Sequence, residues 1–171
     1  MKLHRNQRQK AQFMGEAIPH MASLYRCSVN RTKDPALAED LVQETYREAW
    51  QSFHLYTPNS NCKAWLFRIL FRVLAKHWRK TNRLRPAVDI ETIPEKKLSV
   101  EPDFQQAVEH QEVLRILRSL PDSYQTLLVL VDVEEFSYRE TAQMMELPVG
   151  TIMSRLHRAR ALFRKKFLQV S

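Results

Sequence analysis

The stretch Val149-Gly-Thr-Ile-Met-Ser-Arg-Leu-His-Arg-Ala-Arg160 sets hydroxyl, imidazole and guanidinium groups along what reads as the second helix of a helix-turn-helix. Arg155, Arg158, Arg160, Arg164, Lys165 and Lys166 supply cations, and no acidic residue occurs from Pro148 to Ser171. Such a helix can lie in a major groove with its first residues against base edges. The elements that must position it are legible just upstream. Ser137-Tyr-Arg-Glu140 has capping-box spacing, so a short helix is expected there with Tyr138, Thr141, Ala142 and Met145 on or near its buried side. Glu146-Leu147-Pro148 should end it, because proline cannot continue a helix. Thr151 is the expected N-cap of the next helix, whose Ile152, Leu156, Ala159 and Phe163 recur at near-helical intervals. Taken alone, the basic tail reads equally well as cations complementing their own helix dipole, and helix-turn-helix units also serve as plain packing units. Cap, turn and acid-free helix together favour DNA.

A second basic constellation lies on a helix expected from Ala64 to about Thr81. Arg68, Arg72, Lys76 and Lys80 repeat every four residues beside Trp65, Phe67, Phe71 and Trp78. Cations that track phosphates, interleaved with rings that stack on exposed bases, suit single-stranded or melted DNA. The loop Asn59 to Lys63 meets Trp65 where an unstacked base could be gripped. Each ring taken singly reads more readily as core packing. The acidic-polar face Asp40, Gln43, Glu44 has the opposite preference and should avoid DNA; it is either a solvated face or a dock for a basic protein surface. Motifs for catalysis are poor. His54, His77, His110 and His157 sit in unrelated segments and Glu134-Glu135 is a turn-like pair, so neither a catalytic residue, a metal ligand set nor a cofactor is expected.

Only two glycines in 171 residues, with eight prolines, argue for an all-α protein, because hairpins and tight sheet corners draw on glycine. The net charge of +8 fits a nucleic-acid partner. Its distribution says more: residues 1–85 hold 16 Lys and Arg against 6 Asp and Glu, residues 86–112 hold 2 against 7, and residues 113–171 hold 9 against 6. Two basic blocks flank an acidic connector. Cys27 and Cys62 are too few and too far apart to suggest a zinc site and are expected to be reduced thiols. No apolar run approaches bilayer length, and the basic residues at the start of the chain are not followed by a hydrophobic segment, so no membrane insertion and a cytoplasmic location are expected.

The periodicity predicts a first helix from Ala11 to about Asn30, kinked at Pro19, with Phe13, Ala17, Met21, Leu24 and Tyr25 near one face. Asp34-Pro35 predicts a cap and first helical position for a helix to Phe53 that buries Leu37, Leu41, Tyr46, Ala49 and Phe53 or their neighbours. From Asn82 to Pro102 the pattern fails, suggesting an exposed tether. Periodicity returns at Phe104 through Val108, Leu114 and Leu117, and Ser123 to Val133 supplies a buried helix leading into the helix-turn-helix. The reading is two small helical domains, residues 1–85 and 104–171, joined by a flexible linker over 86–103.

Ala38-Glu-Asp-Leu-Val-Gln-Glu-Thr-Tyr-Arg-Glu-Ala-Trp50, Ala64-Trp-Leu-Phe-Arg-Ile69, Leu120-Pro-Asp-Ser-Tyr-Gln125, Ser137-Tyr-Arg-Glu-Thr-Ala142 and Pro148 to Arg160 stand in an order and spacing that resembles the extracytoplasmic-function (ECF) sigma factors, group IV of the sigma-70 family. The resemblance spans nearly the whole chain. It implies a subunit of bacterial RNA polymerase with a region 2 domain, a linker and a region 4 domain with a winged-helix-like helix-turn-helix, which acts in transcription initiation and is not an enzyme. By the resemblance, Asp40, Leu41, Gln43 and Glu44 dock on the beta-prime clamp helices of core polymerase, and region 4 meets the beta flap. Asn59, Ser60, Asn61, Lys63, Trp65, Arg68, Arg72, Lys76 and Arg79 match the loop and helix that open the minus-10 element. Thr151, Ser154, Arg155, His157 and Arg158 match positions that read the minus-35 element in duplex DNA. An anti-sigma factor is a further implied partner.

The chain departs from the family pattern in carrying Met153 where Lys or Arg is usual, Glu146 near where Gly is frequent, Arg72 for a common Asn and Lys76 for a common Asp. Two rivals remain beside this reading. A stand-alone helix-turn-helix regulator would need a dimerisation segment, and none is evident. A small nuclease would need a carboxylate or His cluster for metal, which the sequence does not offer.

Overall fold

The computed structural model describes residues 2–58, 60–83 and 106–169, with side chains described for all of these except 2–6, 82–83 and 106–110. The chain divides into two compact units: Met1–Val88, to which Gln143–Met145 are also assigned, and the remainder from Asp89. No strand occurs among the described residues, so the expected all-α class holds and no wing accompanies the helix-turn-helix there. The tether expected over 86–103 and the helix start at Phe104 lie outside the described residues.

In the first unit, α1 (Lys2–Ala17) and α2 (Met21–Thr32) are separated by one 3-10 turn, Ile18–His20. The sequence suggested a single kinked helix. Pro19 lacks the N–H that an interior turn requires, and the chain breaks the helix there instead of bending it. Met21, expected on the apolar face, is consequently 44% exposed. Helix α3 (Pro35–Ser52) starts as its sequence dictates: the Asp34 carboxylate accepts from the backbone N–H groups of Ala36 at 3.0 Å and Leu37 at 3.2 Å, with Pro35 at the first position. A second 3-10 turn, Phe53–Leu55, leads into the loop before α4 (Cys62–Arg83).

Helix α3 packs on α2 and α4, and α4 also meets α1 and α2. Leu24, Leu66, Phe67, Ile69, Leu70 and Leu74 are fully buried there. Each such side chain contributes about 1.5–3 kcal/mol by its burial. The one buried hydroxyl of α3, Thr45, donates to the Leu41 carbonyl at 2.7 Å, so its burial leaves no donor unpaired.

The second unit contains α5 (Gln106–Arg118), α6 (Asp122–Leu128), the larger part of α7 (Tyr138–Met145) and α8 (Val149–Phe167). Leu114, part of the apolar periodicity expected from Phe104, is 44% exposed; Ile116 and Leu120 take the core positions. The sharp α5–α6 corner is closed by the buried Gln125, whose amide donates to the carbonyls of Leu120 at 2.7 Å and Arg118 at 3.2 Å. The helix expected over Ser123–Val133 is not uniform. It widens into a π-helical turn at Val129–Val133, closed by the Glu134 N–H on the Val129 carbonyl at 2.9 Å. Helix α8 packs on α5 and α6 through a face that includes Ile152, Leu156 and Ala159, all buried.

Candidate nucleic-acid interface

The helix-turn-helix is held by local chemistry. At its start the Ser137 hydroxyl accepts from the Glu140 N–H at 3.2 Å while the Glu140 carboxylate accepts from the Ser137 N–H at 2.9 Å, the reciprocal pair the spacing predicted. Helix α7 ends with Glu146 in the left-handed region at φ 54°, a conformation that costs any residue with a Cβ and is easiest for glycine. Pro148 then caps α8 without a side-chain bond, so α8 begins at Val149 and Thr151 lies inside its first turn; the expected Thr151 cap is not formed.

Successive helical residues turn by about 100°, so the buried row Ile152, Leu156, Ala159 fixes what points outward. Gly150, Met153, Ser154, His157, Arg158, Ala161, Arg164 and Lys165 are exposed. Thr151 and Arg155 are half-buried on one flank of that face, whereas Ser154, His157 and Arg158 stand in its centre or beside it. The Arg158 Nε donates to the Ser154 carbonyl at 3.3 Å, which holds the guanidinium along the helix surface. Arg160 is otherwise engaged: its Nη2 and Nε donate to the two Asp132 oxygens at 2.5 and 3.3 Å, and Nη1 reaches the Tyr138 hydroxyl at 3.5 Å. Asp132 lies in the π-helical turn. Met153, absent from the sequence-derived contact set, is 52% exposed on the outward face.

In the first unit a chain of rings sets the loop and the start of α4. Phe13 of α1 meets Tyr46, Trp50 and Phe53 edge-on at centroid distances of 6.2, 5.2 and 5.0 Å. Phe53 stacks on Tyr56 at 5.3 Å, and Tyr56 meets Trp65 at 5.1 Å. The Tyr56 hydroxyl donates to the Ser60 carbonyl at 2.9 Å, tying the loop back on itself. Within the loop, Ser60 is exposed and Asn61 acts as a cap, its Oδ1 accepting from the Ala64 N–H at 3.0 Å. Asn59 lies outside the described residues. Lys63 and Trp65 are half-buried, so Trp65 belongs to the ring cluster and still shows part of its surface. Phe67 is wholly core, and Trp78 lies under the Arg31 guanidinium, 4.6 Å from its ring centroid.

The basic stripe divides on folding. A four-residue repeat drifts by about 40° per step, so cations that start on the outward face migrate toward a neighbouring helix. Arg68, Arg72 and Arg79 are exposed, with Arg79 Nε on the Ala75 carbonyl at 3.2 Å. Lys76 has drifted to the α3 side, where its Nζ lies 3.7 Å from Glu48 and 4.0 Å from Glu44. That exposed contact is weak, yet it gives Lys76 two acidic neighbours that the sequence spacing within α4 did not reveal.

On α3 itself, Asp40 and Gln43 are exposed and Glu44 is half-buried. Glu44 accepts from Arg47 through both oxygens, at 2.5 to 2.9 Å, and that hydrogen bonding holds its carboxyl below the ordinary range. Leu41 is 5% exposed. Its side chain serves the core of the first unit, while its neighbours Asp40 and Gln43 reach the surface. Cys27 and Cys62 are buried thiols, and burial pushes Cys62 up to about 11. Burial likewise raises Tyr46 and Tyr56 to about 12, the former donating to the Ala17 carbonyl at 2.8 Å. No group of His, Cys, Asp and Glu among the described residues is arranged to hold a metal ion, and no described helix is long and apolar enough to cross a membrane.

Residues 19–84 match the family model for Sigma-70 region 2, and residues 110–163 match that for Sigma-70, region 4. The chain is 34% identical to the ECF RNA polymerase sigma factor EcfG of Rhodopseudomonas palustris (strain TIE-1) over 145 residues, covering 85% of this chain and 77% of the relative. It is 32% identical to the ECF RNA polymerase sigma factor SigM of Bacillus subtilis (strain 168), covering 82% and 86%. Among solved structures, the sigma factor RpoE of Bartonella quintana, determined in complex with the anti-sigma factor NepR, superposes with a TM-score of 0.74 at 27% identity, over 91% of this chain and 96% of that one. A helix-turn-helix with an acid-free outward face in one unit, an exposed arginine row beside a ring-braced loop in the other, and relatives of this similarity over most of their length lead to one assignment: the chain belongs to the ECF RNA polymerase sigma factors.

Proposed function

We propose that the chain directs core RNA polymerase to promoters by dividing recognition between its units. The observation that carries this is the outward face of α8, where Ser154, His157 and Arg158 project from a helix free of acidic residues. Guanidinium and imidazole groups there bond base edges in the major groove of a minus-35 element, while Arg164 and Lys165 further along neutralise phosphates and fix register. Thr151 and Arg155 contact the flanking backbone of the duplex. Arg68, Arg72 and Arg79 on α4 track the phosphates of an opened minus-10 strand, with Ser60, Asn61, Lys63 and Trp65 beside the place an unstacked base would occupy. Lys76 joins them when released from α3. Unstacking a base costs a few kcal/mol, which such contacts must offset. The exposed Asp40 and Gln43, with Glu44, form the face for a basic surface on core polymerase.

No covalent chemistry is assigned to the chain itself. The anti-sigma partner present on the RpoE neighbour is extended to this chain as part of the proposal, as a protein that covers one of these faces and competes with polymerase or promoter. Run-off transcription with purified core polymerase on a library of promoter fragments tests the reading. Transcripts restricted to a set of fragments sharing two spaced elements are expected. Absence of any chain-dependent transcript, with specific duplex binding retained, would favour a stand-alone regulator.

A further inference from the structure

Among the exposed side chains of α8, Met153 is a long apolar one with nothing to offer a phosphate. Met153 is 52% exposed, while Ile152 and Leu156, about 100° and 60° away around the helix, are 0% and 1% exposed, so Met153 stands outside the core row. A single exposed apolar residue is ordinary on a protein surface and alone decides nothing. Its neighbour Gly150 adds an independent observation. A Cβ built at Gly150 meets nothing within 4 Å, and the backbone there is not left-handed, so neither packing nor conformation asks for glycine. Glycine in a helix is nevertheless costly relative to alanine. The open space above Gly150 leaves room for the close approach of another surface to the first turn of α8.

Gly150, Met153, Ser154 and His157 fall within an arc of about 100° around the helix. The first turn is thus a low surface from which one flexible thioether projects, surrounded by groups that attract DNA. The major-groove edge of duplex DNA offers one apolar group, the 5-methyl of thymine, and Met can adapt its three rotatable bonds to lie against it. A thioether cannot satisfy the strong acceptors of guanine or the amino donor of cytosine.

We infer that Met153 is a specificity-determining residue that reads one thymine of the minus-35 element through its methyl group, with the bare turn at Gly150 permitting the approach. This rests on the assignment of α8 to duplex promoter DNA. Removing one buried methyl-sized group weakens binding about fourfold, the factor that ~0.8 kcal/mol implies.

The test uses the full chain with core polymerase on a promoter duplex recovered from run-off selection, each thymine of the minus-35 element being replaced singly by deoxyuridine, which lacks only the methyl. The wild-type protein should lose about fourfold in affinity at one position. Met153→Ala should bind thymine and deoxyuridine there alike, and Met153→Leu should restore part of the difference. Gly150→Ala should weaken all of these duplexes without lowering the melting temperature, since its Cβ has open space. The inference is overturned if no thymine is methyl-sensitive, if the sensitivity survives in Met153→Ala, or if Gly150→Ala binds as well as wild type. If the wild-type protein binds every base substitution in the minus-35 element equally well, the duplex reading of α8 fails first.

Discussion

Arg160 is one of six cations on a helix free of acid, and the ion pair it makes with Asp132 separates its role from that of Arg158. The partners lie 28 residues apart in sequence, so the contact joins the π-helical turn to α8. Both guanidinium arms engage the carboxylate, and the side chains are 42% and 38% exposed. Hydrogen bonds that Arg160 donates to Asp132, then to Tyr138, hold its pKa above its already high ordinary value, so the cation persists at every practical pH. Exposed pairs are screened and contribute about 0.2–1 kcal/mol; the two-pronged geometry puts this one toward the upper end, with the 3.5 Å Tyr138 contact adding little. A double-mutant cycle of Arg160→Ala and Asp132→Ala, followed by scanning calorimetry, should therefore return a coupling of about 0.5–1 kcal/mol. Each single change should lower the transition of the second unit by several degrees, in line with ~4–8 °C per kcal/mol for a domain of this size. DNA binding supplies the second readout. Because Asp132 already neutralises Arg160, Arg160→Ala should leave the salt dependence of binding nearly unchanged, whereas Lys165→Ala should flatten it by about one phosphate contact and Arg158→Ala should relax selectivity at one base pair. Zero coupling in the cycle, together with a salt slope reduced as much by Arg160→Ala as by Lys165→Ala, would refute the tether and return Arg160 to the DNA face.

Three further outcomes are expected. Asp40→Lys combined with Glu44→Lys should abolish co-purification with core polymerase at unchanged helicity, whereas Leu41→Ala should act through the fold, costing about 2–5 kcal/mol of stability; equal core binding by the double charge reversal would remove this face from the interface. The raised Tyr46, Tyr56 and Cys62 groups favour their neutral forms on folding, so their contribution to stability is complete below the unfolded values of about 8.5 for Cys and 10 for Tyr. It should be lost as pH climbs through 11 to 12; the fluorescence of Trp50, Trp65 and Trp78, all in the first unit, should report that loss, and Tyr46→Phe should lessen it. Within the helix-turn-helix, Ser137→Ala should cost about 1 kcal/mol by breaking the capping box, and Glu146→Gly should gain about 0.5–1 kcal/mol by relieving the left-handed turn, both read by chemical denaturation.

Hydrogen bonds and steric limits that span only a few residues can be read directly from the order of the amino acids. Asp34-Pro35 and Ser137 to Glu140 start helices because the cap and its donors lie within three positions of each other. The scarcity of glycine, the buried row Ile152, Leu156, Ala159 and the acid-free face opposite it were legible for the same reason: helical periodicity is local. Packing between distant segments, by contrast, sets which edge of each helix meets another. It turned Lys76 from the arginine row toward Glu44 and Glu48, buried Leu41 between the exposed Asp40 and Gln43, and exposed Met21 and Leu114, both part of an apolar periodicity. It also bound Arg160 to Asp132 across 28 residues and opened a π-helical turn between α6 and α7. These features depend on the packing of segments far apart in the chain, where a rotation of tens of degrees about a helix axis exchanges a solvent-facing cation for a paired one, and no spacing within a single helix records which neighbour will stand there.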